Sequence, residues 1–190
     1  MSLTNVQLEE LAKKLGITLE RVCFKNELKD EKLVYNAGYI INLENEYDED
    51  GQRNPGSHWV CFYVQKTPNN TIQPIYFDSF ACPPPEDILK FCGRNHIPYN
   101  TVDVQSIVQG TCGYFCLALL YYVSVMPERT GCLYTDSEDF TSLFNDLSKS
   151  SNWKHNEFIL KHFFQSSDPE VRKRNPLDPH SGMTFVPNIN

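Results

Sequence analysis

Apolar residues recur three or four positions apart near the start of the chain, which is the spacing of one helix face. They are Leu3, Val6, Leu8, Leu11 and Leu15. Gly16 follows the last of them, at a position where helices commonly end in a left-handed cap. The pattern therefore predicts an amphipathic helix over residues 4–15.

Longer helical patterns fill the second half of the chain. The helices predicted there are residues 112–126, 137–148 and 153–164. Another helix start is expected where Pro83, Pro84 and Pro85 precede Glu86 and Asp87. Proline suits the first turn of a helix, and acidic side chains are favourable near its N-terminus.

Strand-like segments lie between these helices and are rich in aromatic and β-branched residues, which fit a pleated surface. The predicted strands are residues 32–43, 59–65, 72–77 and 97–104. A turn signal at residues 68–70 predicts that the second and third strands pair antiparallel. The tail 166–190 is expected to be irregular. The order of elements favours a single α+β domain over residues 1–190, with its core at about residues 3–165.

Composition and charge narrow the class of protein. A length of 190 residues suits one domain, and a net charge of −7 does not support a nucleic-acid partner. No apolar run approaches the roughly 18 residues of a membrane span, and the start lacks the apolar core of a signal peptide. Seven cysteines at irregular spacing favour reduced thiols in a cytosol-like compartment over a disulfide framework.

Cys112, followed by Gly113, opens the apolar helical run that begins at residue 112. A helix N-terminus carries partial positive charge and unpaired N–H groups, which lower the pKa of a thiol and can receive a developing oxyanion. A free cysteine taken alone is most often a small buried hydrophobe. Cys112 is therefore a candidate nucleophile only together with partners elsewhere in the chain.

Other residues can supply these partners. His58 begins a predicted strand and can exchange the proton of a thiol. Asp78 follows the neighbouring strand, so its carboxylate is expected beside the imidazole. Gln105 lies seven residues before Cys112 and can add a side-chain amide to the Cys112 backbone N–H in an oxyanion hole. Gln109, nearer to the cysteine, is the alternative.

Two cysteines four residues apart also suggest a metal site. Cys112 and Cys116 would share one face of the helix, where two thiolates can bind Zn²⁺. The remaining cysteines and the histidines show no second pair with ligand spacing. We therefore expect Cys116 to belong to the core, and we expect neither a metal nor a cofactor.

Several of these residues together carry a family resemblance. The segments concerned are His58-Trp59, Tyr76 to Phe80 with Pro83-Pro84 after it, Gln105, and Cys112 to Cys116. They resemble the cysteine peptidases of the adenovirus maturation protease (adenain) type, above all the relatives encoded by virophages, large DNA viruses and Polinton (Maverick) elements. The resemblance covers roughly residues 3–126. Its chain order of His, Asp, Gln and Cys differs from that of papain-like enzymes, in which the cysteine comes first.

The resemblance implies a role for each residue that matches by position. His58 would be the base, Asp78 its orienting acid and Cys112 the nucleophile. Gln105 would donate to the oxyanion beside the Cys112 backbone N–H, and Gln109 stays open as the alternative. The implied fold is a central, mostly antiparallel sheet packed by helices, with the nucleophile at a helix N-terminus.

The resemblance also implies a function, that of a viral endopeptidase that cleaves capsid or core precursors during virion maturation. Glycine or small residues would lie beside the cleaved bond, and Trp59 is a candidate substrate contact. Such a protein would act in the virion and in the reducing cytoplasm of the infected host cell. Adenain uses DNA and a viral peptide as activators, but this acidic chain shows no basic track for DNA, and the sequence identifies no activating peptide.

Three other functions fit parts of the pattern. A deconjugase of ubiquitin-like proteins shares the fold, the residue order and cleavage after Gly-Gly. An acetyltransferase of the bacterial-effector kind shares a His–acid–Cys order. A non-enzymatic binding module is disfavoured, because each of the four catalytic roles has a candidate residue.

Overall fold

A four-stranded sheet organises the part of the chain that the computed structural model describes, which is residues 2–126, 129–149 and 151–164. Its strands lie side by side in chain order and are β1 (Leu19–Phe24), β2 (Ala37–Asn42), β3 (Trp59–Lys66) and β4 (Ile72–Phe77). β1 and β2 are parallel, whereas β2 with β3 and β3 with β4 are antiparallel. The sheet is therefore mixed.

Helices cover this sheet. They are α1 (Asn5–Leu15), α2 (Glu86–Phe91), α3 (Cys112–Ser124), α4 (Leu133–Ser142) and α5 (Asn152–His162), with a 3₁₀ helix at Lys25–Asp30. α3 lies on β2 and β3. Three other helices, α1, α4 and α5, pack around α3, whereas α2 packs against the 3₁₀ helix. The expected single α+β domain with helices packed on a central sheet is confirmed for the described residues.

Strand β3 shows why both faces of the sheet are covered, since successive residues of a strand point to opposite faces. One set of its side chains joins the core around α3: Trp59, Cys61 and Tyr63. The alternate set joins a second core that includes Ile88 of α2: Val60, Phe62 and Val64. The continuous apolar run in this strand therefore reflects burial on both sides.

Capping interactions fix both ends of α1. Gln7 N–H donates to Thr4 Oγ1 at 3.3 Å, and Thr4 N–H donates to Gln7 Oε1 at 2.9 Å, which makes a reciprocal capping box. Gly16 ends the helix at φ 73°, a backbone conformation that favours glycine. The helix predicted at residues 4–15 is confirmed, with Thr4 as its cap.

The strand predicted at residues 97–104 is wrong. Tyr99 makes an isolated bridge to Tyr76, and the Val104 N–H donates to the Ser79 carbonyl at 2.9 Å instead of joining a strand. Asn100 explains part of the difference, because its side chain binds the backbone of Asp78 and Val102 and so holds the segment as a loop. The apolar pattern of this segment could not show those side-chain bonds.

Other boundaries also differ from the prediction. β2 occupies only the end of the predicted strand 32–43, and β1 was not predicted because the exposed Glu20 and Arg21 interrupt its apolar pattern. α4 begins earlier than the predicted helix 137–148, because Asp136 Oδ1 accepts the Thr130 N–H and hydroxyl at 2.7 Å and organises the helix start. The predicted tail 166–190 lies outside the described residues.

Within the described ranges, the structure contains no helix that is both long enough and apolar enough to cross a membrane.

The loop between β2 and β3 ends in a tightly fixed segment just before His58. Gly56 has φ +85°, and a Cβ placed on it would lie 2.5 Å from Asn42 Nδ2. Asn42 Oδ1 in turn accepts the backbone N–H groups of Glu44, at 3.0 Å, and Ser57, at 3.2 Å. Close approach of Gly56 to Asn42 therefore sets the path of the chain into β3.

Replacing Gly56 with alanine should lower the free energy of unfolding more than replacing Gly51 with alanine. Both glycines have positive φ, so each substitution costs about 1–2 kcal/mol of backbone energy. Only at Gly56 would the new Cβ also displace the Asn42 amide, whereas nothing lies within 4 Å at Gly51. Chemical denaturation measures both losses, and equal losses would contradict the importance of the Asn42 contact.

Candidate active site

His58 and Asp78 meet at one end of the antiparallel β3–β4 pair. His58 directly precedes β3 and Asp78 directly follows β4, so the pairing of the two strands brings them together. His58 Nε2 lies 2.7 Å from Asp78 Oδ1. Since an ionised carboxylate only accepts hydrogen bonds, Nε2 carries the proton of this contact and Nδ1 is left for another partner.

The Asp78 carboxylate is fully buried and held by backbone groups as well as by the imidazole. Phe80 N–H donates to Asp78 Oδ1 at 2.8 Å. Asn100 pairs with the Asp78 backbone, accepting its N–H at 3.0 Å and donating to its carbonyl at 2.7 Å. These bonds fix both the carboxylate and its backbone, so Asp78 can orient the ring of His58.

The His58 ring is nearly enclosed, with 12% of its side chain exposed. Phe80 stacks on it with ring centroids 4.4 Å apart and an angle of 26° between the planes. The turn that carries Phe80 closes with a 2.8 Å bond from the Ala81 N–H to the Asp78 carbonyl. One short turn thus supplies both the carboxylate and the aromatic face that hold the imidazole.

Cys112 is the first residue of α3 and is buried. Thr111 precedes the helix, but its φ of −105° and ψ of 5° are not those of a usual N-cap, and its side chain makes no capping bond to the first turn. The N–H groups of Tyr114 and Phe115 donate to the Thr111 carbonyl. The N–H groups of Cys112 and Gly113 precede these bonds at the helix start, where a developing negative charge is favoured.

Two neighbouring side chains, those of Asp78 and Cys112, raise the pKa of His58. Burial alone would lower the pKa of this ring, but hydrogen bonds to Asp78 and to Cys112, together with their negative charges, raise it to about 9. Cys112 therefore lies within hydrogen-bonding reach of the imidazole. The structure brings together the predicted nucleophile, base and orienting acid.

Gln105 lies in the loop before α3 and is buried. Its Oε1 accepts the Ser79 hydroxyl at 2.8 Å, and its backbone N–H donates to the Ser79 carbonyl at 3.2 Å. Its Nε2 donates to the Gln109 carbonyl. Because an amide carries two N–H hydrogens, this bond uses only one of the two donors of Gln105.

Gln109, the alternative oxyanion residue, contributes to this arrangement through its backbone. Its carbonyl accepts from the Gln105 side chain, and its N–H donates to the Ser106 carbonyl at 3.0 Å, which closes a turn. The Gln109 side chain is only half-buried, whereas Gln105 is 3% exposed. The choice between the two glutamines stays a prediction, with Gln105 the better fixed.

Trp59 is largely a core residue. Its indole Nε1 donates to the Leu3 carbonyl at 2.8 Å, which ties the segment before α1 to β3. The ring that stacks on His58 belongs to Phe80 rather than to Trp59. Trp59 also lines a cavity of about 520 Å³ together with Leu3 and Gly56, so its role as a substrate contact stays a prediction.

Burial raises the pKa of several other thiols, which makes them weaker nucleophiles. Burial raises the pKa of Cys23 and of Cys92 to about 12 and raises the pKa of Cys116 well above its ordinary value. Cys116 is a core residue, as expected, and its Sγ donates to the Trp59 carbonyl at 3.5 Å. At the exposed Cys132, by contrast, hydrogen bonds from Thr135 lower the pKa of the thiol.

The described ranges contain no candidate metal-binding site. No group of three or more histidine, cysteine, aspartate or glutamate side chains there could hold an ion. Cys112 and Cys116 instead point to different partners, since Cys112 lies by His58 and Cys116 by the Trp59 carbonyl.

Three supporting residues were missed by the sequence analysis as parts of the site. Phe80 had a weak local signal, because it follows the candidate acid by two residues. Ser79 lies in the segment that carries the family resemblance, but no role was predicted for it, and Asn100 had no signal, since their partners Gln105 and Asp78 lie 26 and 22 residues away along the chain. Only the folded chain reveals such contacts.

The sequence matches no model of a known protein family, and comparison with curated proteins likewise yields no match.

Replacing Asp78 with asparagine should lower the pKa of His58 from about 9, because the substitution removes the negative charge and leaves a buried ring. Replacing Cys112 with alanine should also lower the pKa of His58, because it removes the second hydrogen-bond partner of the ring. Nuclear magnetic resonance titration of the imidazole C–H signals measures both shifts, with His58→Gln identifying the signal. A pKa that does not change in Asp78→Asn would contradict the pairing.

Proposed function

We propose that this chain is a cysteine endopeptidase of the adenain type that processes capsid or core precursor proteins during virion maturation. The observation that carries the proposal is the His58–Asp78 contact of 2.7 Å with Cys112 within reach of the same ring. A nucleophile, a base and an orienter of the base are the three parts that thiol catalysis requires. We place the activity in the virion and in the cytoplasm of the infected cell.

The proposed reaction begins with a Cys112 thiolate and a protonated His58. The thiolate attacks the carbonyl carbon of the peptide bond, and the carbonyl oxygen becomes an oxyanion held by the Cys112 N–H and by Gln105. His58 then gives its proton to the departing amine, and an acyl-thioester remains on Cys112. Water then attacks the thioester while His58 accepts its proton, which releases the carboxylic acid product and restores the Cys112 thiolate with a protonated His58.

Access to the site supports a preference for glycine or small residues beside the cleaved bond. Cys112 is 3% exposed, and the neighbouring imidazole lies under Phe80. A peptide must bring its carbonyl carbon to about 3–3.5 Å from the sulfur. A backbone without large side chains approaches such an enclosed sulfur most easily.

Cleavage of a complex peptide mixture tests the proposal, because it does not require the natural substrate to be known. Purified protein should cleave internal bonds flanked by glycine or small residues, with the sites identified by mass spectrometry. Cys112→Ala should lose at least roughly 10⁴-fold in rate and keep its fold, and His58→Ala should lose nearly as much. The rate should fall as the pH rises through about 9, where His58 loses its proton.

Parallel reactions separate this function from its alternatives. Fluorogenic ubiquitin and SUMO substrates test the deconjugase function, and acetyl-CoA with acceptor peptides tests acetyl transfer. Cys132→Ser provides the matched control, because it removes an exposed thiol with a lowered pKa and should leave the rate unchanged. Full activity in Cys112→Ala, or cleavage of the ubiquitin-like substrates alone, would contradict the proposal.

Gln105→Ala should reduce turnover far more than Gln109→Ala, on the order of 10²–10³-fold, which is the usual cost of one oxyanion donor. The reason is that the Gln105 amide is buried and fixed by Ser79, whereas Gln109 participates through its backbone. Steady-state turnover of both variants on one peptide decides between them. A large loss of turnover in Gln109→Ala together with unchanged turnover in Gln105→Ala would reverse the assignment.

A further inference from the structure

The segment that we call the catalytic loop, residues 105–111, carries Gln105 and ends at the nucleophile. Its tip protrudes, with Ile107 and Val108 exposed by 87% and 80%. Its own bonds are the turn between Ser106 and Gln109 and the contact from the Gln105 side chain. A loop with so few internal bonds must be held from outside, because ordering each residue costs conformational entropy.

Two consecutive residues of α5 hold the two ends of this loop. At the first end, the fully buried Asn156 donates from Nδ2 to the Val104 carbonyl at 2.9 Å, directly before Gln105. The same side chain is itself fixed by Asn145, through a donated bond of 2.7 Å and an accepted bond of 2.8 Å. All the polar groups of the Asn156 side chain are thereby used.

At the second end, Glu157 Oε1 accepts the Thr111 hydroxyl at 2.9 Å, directly before Cys112. Burial raises the pKa of the Glu157 carboxyl, and the Thr111 hydroxyl partly offsets this by stabilising the charged form. The Thr111 side chain therefore points to Glu157 and makes no capping bond to the first turn of α3. The N–H groups at the helix start thus receive no capping bond from Thr111.

The helix that makes these two contacts is anchored in the core. Leu160 of α5 is fully buried, and Phe163 directly after the helix meets Phe140 at 5.7 Å between ring centroids. Phe164 meets Tyr114 of α3 at 5.3 Å in the same edge-to-face manner. α5 therefore has a fixed position from which to hold the catalytic loop.

We propose that Asn156 and Glu157 are positioning residues that brace the catalytic loop, so that α5 sets the distance between the oxyanion donor Gln105 and the nucleophile Cys112. The inference rests on the proposed function and adds a part of the chain that the family resemblance does not reach. Neither residue touches the reacting atoms. Each acts through its neighbour, Asn156 through Val104 and Glu157 through Thr111, and displacement of a catalytic group by about 1 Å can cost 10²-fold in rate.

Exchange of the backbone amide hydrogens of residues 105–111 tests the brace without any substrate. Glu157→Ala should raise exchange in this loop about tenfold, because it removes a hydrogen bond to a charged acceptor. Glu157→Gln should stay close to the parent, since its amide oxygen still accepts the Thr111 hydroxyl. Thr130→Val is the matched control, because it removes a threonine bond to a buried carboxylate, Asp136, at the start of another helix.

Kinetics then test the positioning role. Glu157→Ala should lower kcat about 10- to 100-fold and leave KM nearly unchanged, because the loss is in catalytic geometry rather than in substrate binding. Glu157→Gln should restore most of kcat. Thr111→Val should resemble Glu157→Ala, and the double variant Thr111→Val with Glu157→Ala should lose no more than either alone, because both remove the same bond.

Each outcome decides a separate point. Parent-like loop exchange in Glu157→Ala overturns the brace. Faster exchange with unchanged kcat overturns the positioning role, as does an equal loss of kcat in Thr130→Val. If the parent protein cleaves no peptide, the proposed function fails, and the exchange measurement still decides whether α5 holds the loop.

Discussion

The burial of α3 against the sheet is the constraint on which the rest of the structure depends. Every residue from Cys112 to Leu120 is buried, so the helix has little freedom to rotate or slide without losing apolar contacts. Gly38 of β2 lets Leu120 approach so closely that a Cβ there would lie 2.8 Å away, and Gly113 does the same for Leu8 of α1, at 3.0 Å. These contacts fix the end of the helix, and therefore the sulfur, beside the end of the β3–β4 pair.

The polar half of the site is built so that a buried charge is acceptable. An isolated carboxylate in the interior would be strongly unfavourable, but Asp78 Oδ1 accepts from an imidazole and from a backbone amide at once, while the buried Oδ2 has no hydrogen-bond partner among the described residues. Ser79, the next residue, binds Gln105 through both its hydroxyl and its carbonyl. One turn after β4 thus connects the His58 side of the site to the loop before α3, and α5 binds the backbone or side chain at both ends of that loop.

Local signals in the sequence predicted the helix at residues 4–15, the β3–β4 hairpin and the helix that begins at Cys112. They also predicted His58 and Asp78 as neighbours, because strand pairing follows from apolar runs and a turn. They could not predict the loop at residues 97–104, where Asn100 replaces sheet bonds with side-chain bonds. For the same reason Asn156 and Glu157 carried no sequence signal, since each contact spans more than 45 residues of chain.

The order in which the candidate residues occur has a consequence for folding. His58 and Asp78 flank a single hairpin, so their separation of 20 residues is a short-range contact that closes early. Cys112 joins them only after α3 has docked on the sheet and the loop before it has been fixed. In a nascent or partly unfolded chain the Cys112 thiol therefore has no imidazole beside it, and the proposed pair of Cys112 and His58 forms only together with the tertiary structure. In the proposed mechanism, completion of the fold is the step that gives the Cys112 thiol its base.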